Sequence, residues 1–134
     1  MPRKTDSSNP GDWLWIAASD LELIQFAGTQ EVGYAAARSK LAEVLEKVMK
    51  AELIRTGWAL EKTHDLERLL EKMVVRGLDL VPQFAELCKA LAEVYFTDRY
   101  PGYDFDDPDW PVLRAQIEQV TALHAAVQAR LAVP

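Results

Sequence analysis

Residues 31–56 read Glu-Val-Gly-Tyr-Ala-Ala-Ala-Arg-Ser-Lys-Leu-Ala-Glu-Val-Leu-Glu-Lys-Val-Met-Lys-Ala-Glu-Leu-Ile-Arg-Thr. Tyr34, Ala37, Leu41, Val44, Val48 and Ala51 recur at intervals of three and four, which stacks them on one face of a helix. Leu45, Met49 and Ile54 form a second apolar seam beside the first. A helix with two seams buries too much of its circumference to lie on a surface, so this one is expected at the centre of a bundle. Glu43/Lys47 and Glu46/Lys50 place a carboxylate four residues ahead of an ammonium. On an exposed strip each such pair contributes about 0.3 kcal/mol. Gly57 ends the helix.

The flanks read as more helices. Pro10-Gly11-Asp12 opens one whose buried face is Leu14, Ala17, Leu21 and Ile24, widened by Trp13, Ile16 and Phe26, with Gly28 as its stop. Thr63 is expected to N-cap a short helix with Asp65 and Glu67 in its first turn, where the dipole favours anions. Its stripe is Leu66, Leu69, Leu70 and Met73, and Arg76-Gly77 closes it. Pro82 sits in the first turn of the next helix, which carries Phe84, Leu87, Leu91 and Val94. Residues 97–111 form one long irregular segment, a length often tied to function. From about residue 110 to 131, Leu113, Ile117, Val120, His124, Val127 and Leu131 line a last seam. The expectation is an all-α protein: an up-and-down antiparallel bundle of about five helices with short connections. Residues 1–9 are expected to be a polar, disordered tail, and residues 10–134 a single helical domain.

Composition bounds the function. The 134 residues suit one domain, 49% are apolar and 27% charged, and the formal net charge is −6. That acid balance argues against avid, non-specific binding to DNA, and no specific DNA partner is expected. Cys88, the single cysteine, has no internal disulfide partner and reads as a small buried hydrophobe, which fits a reducing compartment. Met-Pro-Arg-Lys-Thr-Asp-Ser-Ser at the start has no apolar run behind its charges, so it is not a secretory signal. No segment approaches the roughly 20 apolar residues that cross a bilayer. A cytoplasmic protein without membrane contact is expected.

Few residues carry chemistry. His64, His124 and Cys88 lack the spacing of a zinc site, and no metal or cofactor is expected. Asp104, Asp106, Asp107 and Asp109 resemble an oxygen cage, but Gly102 precedes them where a calcium loop needs its glycine inside. Asp107 or Asp109 is better read as the cap of the last helix, with Pro108 or Pro111 in its first turn. No phosphate-cradling glycine loop or nucleophile elbow is present.

Three places keep two readings each. His64, between Thr63 and Asp65, is either a helix-start histidine held by local hydrogen bonds or an exposed imidazole beside a pocket, with Lys62 nearby. His124 is either a buried, hydrogen-bonded histidine or a general acid–base in a groove at a subunit interface. Arg114 lies almost three turns from it, too far for a compact pair within one chain. Arg99, Tyr100 and Tyr103 surround Pro101-Gly102: the arginine fork can grip phosphate while the rings stack on a base, or Arg99 can simply pair with an acid.

Three stretches together resemble the HEPN family (higher eukaryotes and prokaryotes nucleotide-binding domains). They are Asp12-Trp13-Leu14 through Ser19-Asp20-Leu21; Leu45 through Ala51 with Gly57 and then Lys62-Thr63-His64-Asp65-Leu66 and Leu69-Leu70; and Tyr95 through Arg99-Tyr100-Pro101. The resemblance covers residues 12–104. It implies a bundle of the HEPN and nucleotidyltransferase substrate-binding-subunit type, commonly a homodimer, often encoded beside a minimal nucleotidyltransferase in a two-component or toxin–antitoxin pair. Other members cut RNA without metal, using an Arg followed after four to six residues by a His. Here Asp104, Phe105 and Asp106 stand where that His would follow Arg99, and nine residues separate Arg114 from His124. The chain also has Lys40 and Glu43 where many members carry His and Gln.

The expected function is therefore a non-catalytic module that binds a nucleotide or RNA through Arg99, Tyr100, His64, Lys62 and Tyr103, with a nucleotidyltransferase as protein partner. Two alternatives stand beside it. In a metal-independent endoribonuclease toxin, His124 would move the proton and Arg99 or Arg114 would stabilise the phosphorane. The other is a ligand-free structural subunit of an oligomer.

Overall fold

A computed structural model describes residues 2–131, apart from the side chains of Tyr95 and Phe96. Residues 132–134 of the expected domain lie outside the described residues. Helix α1 runs Pro10–Gln30, α2 Tyr34–Arg55, α3 Leu66–Val75, α4 Val81–Leu91, α5 Val94–Thr97 and α6 Trp110–Leu131. No strand occurs among the described residues, so the chain is an all-α bundle of five full helices and the single turn α5. None of these helices is long and apolar enough to cross a membrane.

The two-seam reading of residues 31–56 holds. Leu41, Val44, Leu45, Val48, Met49, Ala51 and Leu53 are fully buried, and α2 packs against α1, α3, α4, α5 and α6. Burying each of these Val, Leu and Met side chains contributes roughly 1.5–3 kcal/mol. One apolar cluster runs from Leu14 and Ile24 of α1 through α2 to Met73, Phe84, Leu91, Leu113 and Val127.

Three local readings are corrected. Gly28 does not stop α1, which continues to Gln30 and closes with Glu31 in the left-handed region (φ 54°), its N–H donating to the Ala27 carbonyl. Gly28 instead marks a close approach to α6: a Cβ there would lie 3.3 Å from Ile117 Cδ1 and 3.5 Å from Arg114 Cγ. Ile16 and Phe26 do not widen the buried face of α1. They are 40% and 62% exposed, and with Trp15 and Leu23 they line its outer side. Asp65, not Thr63, caps α3, its Oδ1 accepting from the N–H groups of Glu67 and Arg68 at 3.0 and 3.3 Å. The Thr63 hydroxyl supports that cap from outside by accepting from Asp65 N–H at 3.1 Å.

The ends of α1 and α6 follow their side chains. Asn9 caps α1, its Oδ1 accepting from Gly11 N–H at 2.9 Å. Residues 2–9 form no helix or strand, yet Asp12 accepts from Arg3 Nη2 and from Asp6 N–H, both at 2.9 Å, and Trp13 Nε1 donates to the Ser7 carbonyl at 2.8 Å. At α6, Asp109 Oδ1 accepts from Val112 N–H at 3.2 Å, with Pro111 in the first turn.

Candidate ligand-binding site

The α2 stripe formed by Ser39, Glu43, Glu46 and Lys50 is polar although the helix around it is buried. These positions fall at i, i+4, i+7 and i+11, so they stack along one line of the helix. The chain segments around α2 bring Arg99 and His64 to this line.

Asp98 anchors the first of those segments. Its side chain is fully buried and is gripped by Arg38, with Nε–Oδ2 at 2.5 Å and Nη2–Oδ1 at 2.8 Å. The Thr97 hydroxyl adds a bond to Asp98 Oδ1 at 3.1 Å. Arg38 also reaches Asp106 Oδ2 at 3.4 Å and lies over the rings of Tyr34 at 5.4 Å and Phe105 at 5.9 Å. The paired, hydrogen-bonded Asp98 carboxylate holds the Arg38 guanidinium even more firmly protonated than an ordinary arginine. One guanidinium therefore clips both ends of the 98–106 segment onto α2.

That clip sets Arg99 against the polar stripe. Arg99 Nε donates to Ser39 Oγ at 2.8 Å, and Nη2 pairs with Glu43 Oε1. Glu43 Oε2 also accepts from Lys40 Nζ at 3.0 Å. One turn further along α2, Glu46 Oε1 meets His64 Nδ1 at 2.9 Å, and Oε2 accepts from Lys50 Nζ at 2.9 Å. A carboxylate only accepts, so His64 Nδ1 carries the hydrogen. Lys50 Nζ in turn sits 5.2 Å from the Trp13 ring centroid. The Glu43/Lys47 pair expected from sequence is not made, because Lys47 bonds Asp20 of α1 at 2.8 Å instead. Glu46/Lys50 does form, but buried rather than on an exposed strip.

The sequence candidates divide accordingly. Arg99 and His64 come to successive turns of the same α2 stripe. The His64 side chain is 63% exposed, and Lys62, Tyr100 and Tyr103 are exposed on the adjoining segments. His124 and Arg114 lie elsewhere. His124 Nε2 donates to the Leu14 carbonyl at 2.8 Å, fastening α6 to α1. Arg114 Nη1 meets both the Gly28 carbonyl and Glu31 Oε1 at 3.4 Å. Ten residues apart on α6, they stand about 15 Å from each other along its axis.

Arg38, Ser39, Glu46 and Asp98 are contributors that sequence reasoning misses, and Lys40 and Glu43 stand out there only as departures from the family pattern. A signal for Ser39, Glu43 and Glu46 exists in the i, i+4, i+7 polar line through an otherwise apolar helix. It reads as a solvated strip until the partners from residues 64 and 99 are known.

No group of three or more His, Cys, Asp or Glu fit to hold a metal occurs among the described residues. Cys88 is buried, its thiol pushed up to about 12 by that burial, and its Sγ contacts Met49 Sδ at 3.6 Å. A separate open groove of about 710 Å³ lies between α4 and α6, with Leu80, Leu87, Ala90, Ala122 and Leu123 among its walls. None of the candidate residues lines it.

A family model described as the HEPN domain matches residues 11–128. No curated protein and no solved structure matches the chain.

Proposed function

The chain belongs to the HEPN domain family, and on that premise we propose that it is a non-catalytic module binding a nucleotide or RNA along the polar stripe of α2. The observation that carries this reading is the meeting of Arg99 and His64 on Glu43 and Glu46, one helical turn apart. A guanidinium fork and an imidazole on one face supply phosphate recognition, and the exposed rings of Tyr100 and Tyr103 supply stacking for a base. Lys62, exposed two residues before His64, adds charge beside it. His124 and Arg114 are spent on α1 and lie far apart, which supports binding over cleavage. Family membership is also the ground for a homodimer and for a minimal nucleotidyltransferase as protein partner, while the cytoplasmic reading rests on the single cysteine and the charged, apolar-poor N-terminal stretch. The outer side of α1, with Trp15, Leu23 and Phe26 in water, supports a protein contact of some kind.

A ligand that binds only the native state raises its apparent stability. A nucleotide or short RNA is therefore expected to raise the melting temperature of the wild type and to do so less for Arg99→Ala. RNA cleavage lost in His124→Ala or Arg99→Ala would overturn the non-catalytic reading.

A further inference from the structure

Glu43 holds two cations of the candidate site at once. Its Oε2 accepts from Lys40 at 3.0 Å while its Oε1 pairs with Arg99 Nη2, and Arg99 Nε donates to Ser39 Oγ at 2.8 Å, so the Nε/Nη2 edge of the Arg99 fork is occupied. The Glu43 side chain is 18% exposed and the Arg99 side chain 28%, so both reach solvent at the rim of the bundle. A guanidinium recognises a carboxylate and a phosphate with the same fork. The place offered to a phosphate is thus already filled by an anion of the same helix.

We propose that Glu43 is a built-in competitor that restricts this site to phosphate monoesters, the phosphate of a nucleoside monophosphate or of a monophosphorylated RNA 5′ end. The inference rests on the binding-module reading above. An internal phosphodiester brings one charge and two free oxygens, as a carboxylate does. Exchanging Glu43 for it gains no charge and gives up a partner tethered at high effective concentration. A phosphate monoester brings about −1.5 to −2 charges at neutral pH and three acceptor oxygens. It can serve Lys40 and Arg99 together and still leave an oxygen for a neighbouring donor. Discrimination of end from backbone then comes from the residue that the ligand must displace.

Calorimetric titration of the full chain tests this with three probes: adenosine 5′-monophosphate, a 5′-phosphorylated oligoribonucleotide, and the same oligonucleotide with a 5′-hydroxyl. At least one monoester probe is expected to bind about tenfold tighter than the 5′-hydroxyl form, the order set by one charged hydrogen-bond partner. Binding of the mononucleotide identifies free nucleotide as sufficient, and binding of the phosphorylated oligonucleotide alone identifies the RNA end. Glu43→Gln is expected to tighten monoester binding about tenfold. Glu43→Asp, which keeps the charge, gives no such gain, and Arg99→Ala added to Glu43→Gln abolishes it. Equal affinity for the 5′-hydroxyl probe, or no tightening in Glu43→Gln, overturns the inference while leaving the binding module in place. No binding of any probe by either protein overturns both. If Glu43→Gln does not fold, the wild-type comparison of phosphate with hydroxyl ends decides alone.

Discussion

Arg38 interrupts a run of small residues, Ala35-Ala36-Ala37, that on pattern alone only begins a helix. Its importance comes from Asp98, 60 positions later, whose buried carboxylate it meets with two nitrogens. Replacing Arg38 by Ala leaves that buried charge with the Thr97 hydroxyl as its one side-chain hydrogen-bond donor among the described residues. Breaking a buried pair from one side costs more than the pair contributes, so Arg38→Ala is expected to destabilise by about 3 kcal/mol. Urea unfolding should show a lowered midpoint, with partial recovery when Asp98→Asn is added. No local rule finds a partnership of this kind. The residue types are legible, but the pairing across 60 positions is created only when the 98–106 segment folds back on α2. Candidates named by their own motif, Arg99 and His64, were legible for the opposite reason, since both sit in short runs of unusual composition.

Helix α1 shows what an element's sequence reveals and hides. Its buried line, Leu14, Ala17, Leu21 and Ile24, follows from periodicity because every fourth or third residue must face the core. Its end does not, because a glycine near a helix terminus serves equally as a stop or as a gap for a crossing helix. Gly28 serves as the gap. The start of α1 depends on Asp12, whose carboxyl is held below its ordinary value of 3.8, chiefly by Asp6 N–H and next by Arg3. Since the folded value is the lower one, the tie between residues 3–7 and α1 contributes fully above the unfolded value. It is lost as pH falls through the depressed folded value. The Trp13 indole N–H resonance is expected to stay fixed from neutral pH to about pH 4 and to move only below it. Asp12→Asn should give the acid-form signal at every pH.

At the scale of the molecule the bundle is closed by polar contacts as well as by its apolar interior. Glu52 is fully buried near the C-terminal end of α2, where Arg55 Nε bonds Oε1 at 2.5 Å and Arg130 of α6 bonds Oε2 at 2.8 Å. Arg130 also grips Asp79, in the link between α3 and α4, through two bonds of 2.8 and 2.7 Å. One side chain from the last helix therefore ties together three parts of the chain. Arg130→Met keeps most of the stem but strips a cation from Glu52, and a loss of about 2 kcal/mol in thermal or urea unfolding is expected. The fold class was legible because five apolar seams admit few arrangements other than a bundle. The contacts that choose among those arrangements were not, because Glu52 and Arg130 each look like ordinary surface charges until burial is known.

The shielded sulfur of Cys88 has a practical consequence. Only a thiolate attacks a maleimide, and a group raised to about 12 is almost wholly protonated at neutral pH. The native chain should therefore stay unlabelled under mild conditions without any cysteine being removed. A single cysteine introduced at exposed Ser8 or Val75 would then be the sole attachment point for a spin label. Pulsed spin resonance on the singly labelled chain would test whether two copies associate, with no need to engineer the interior.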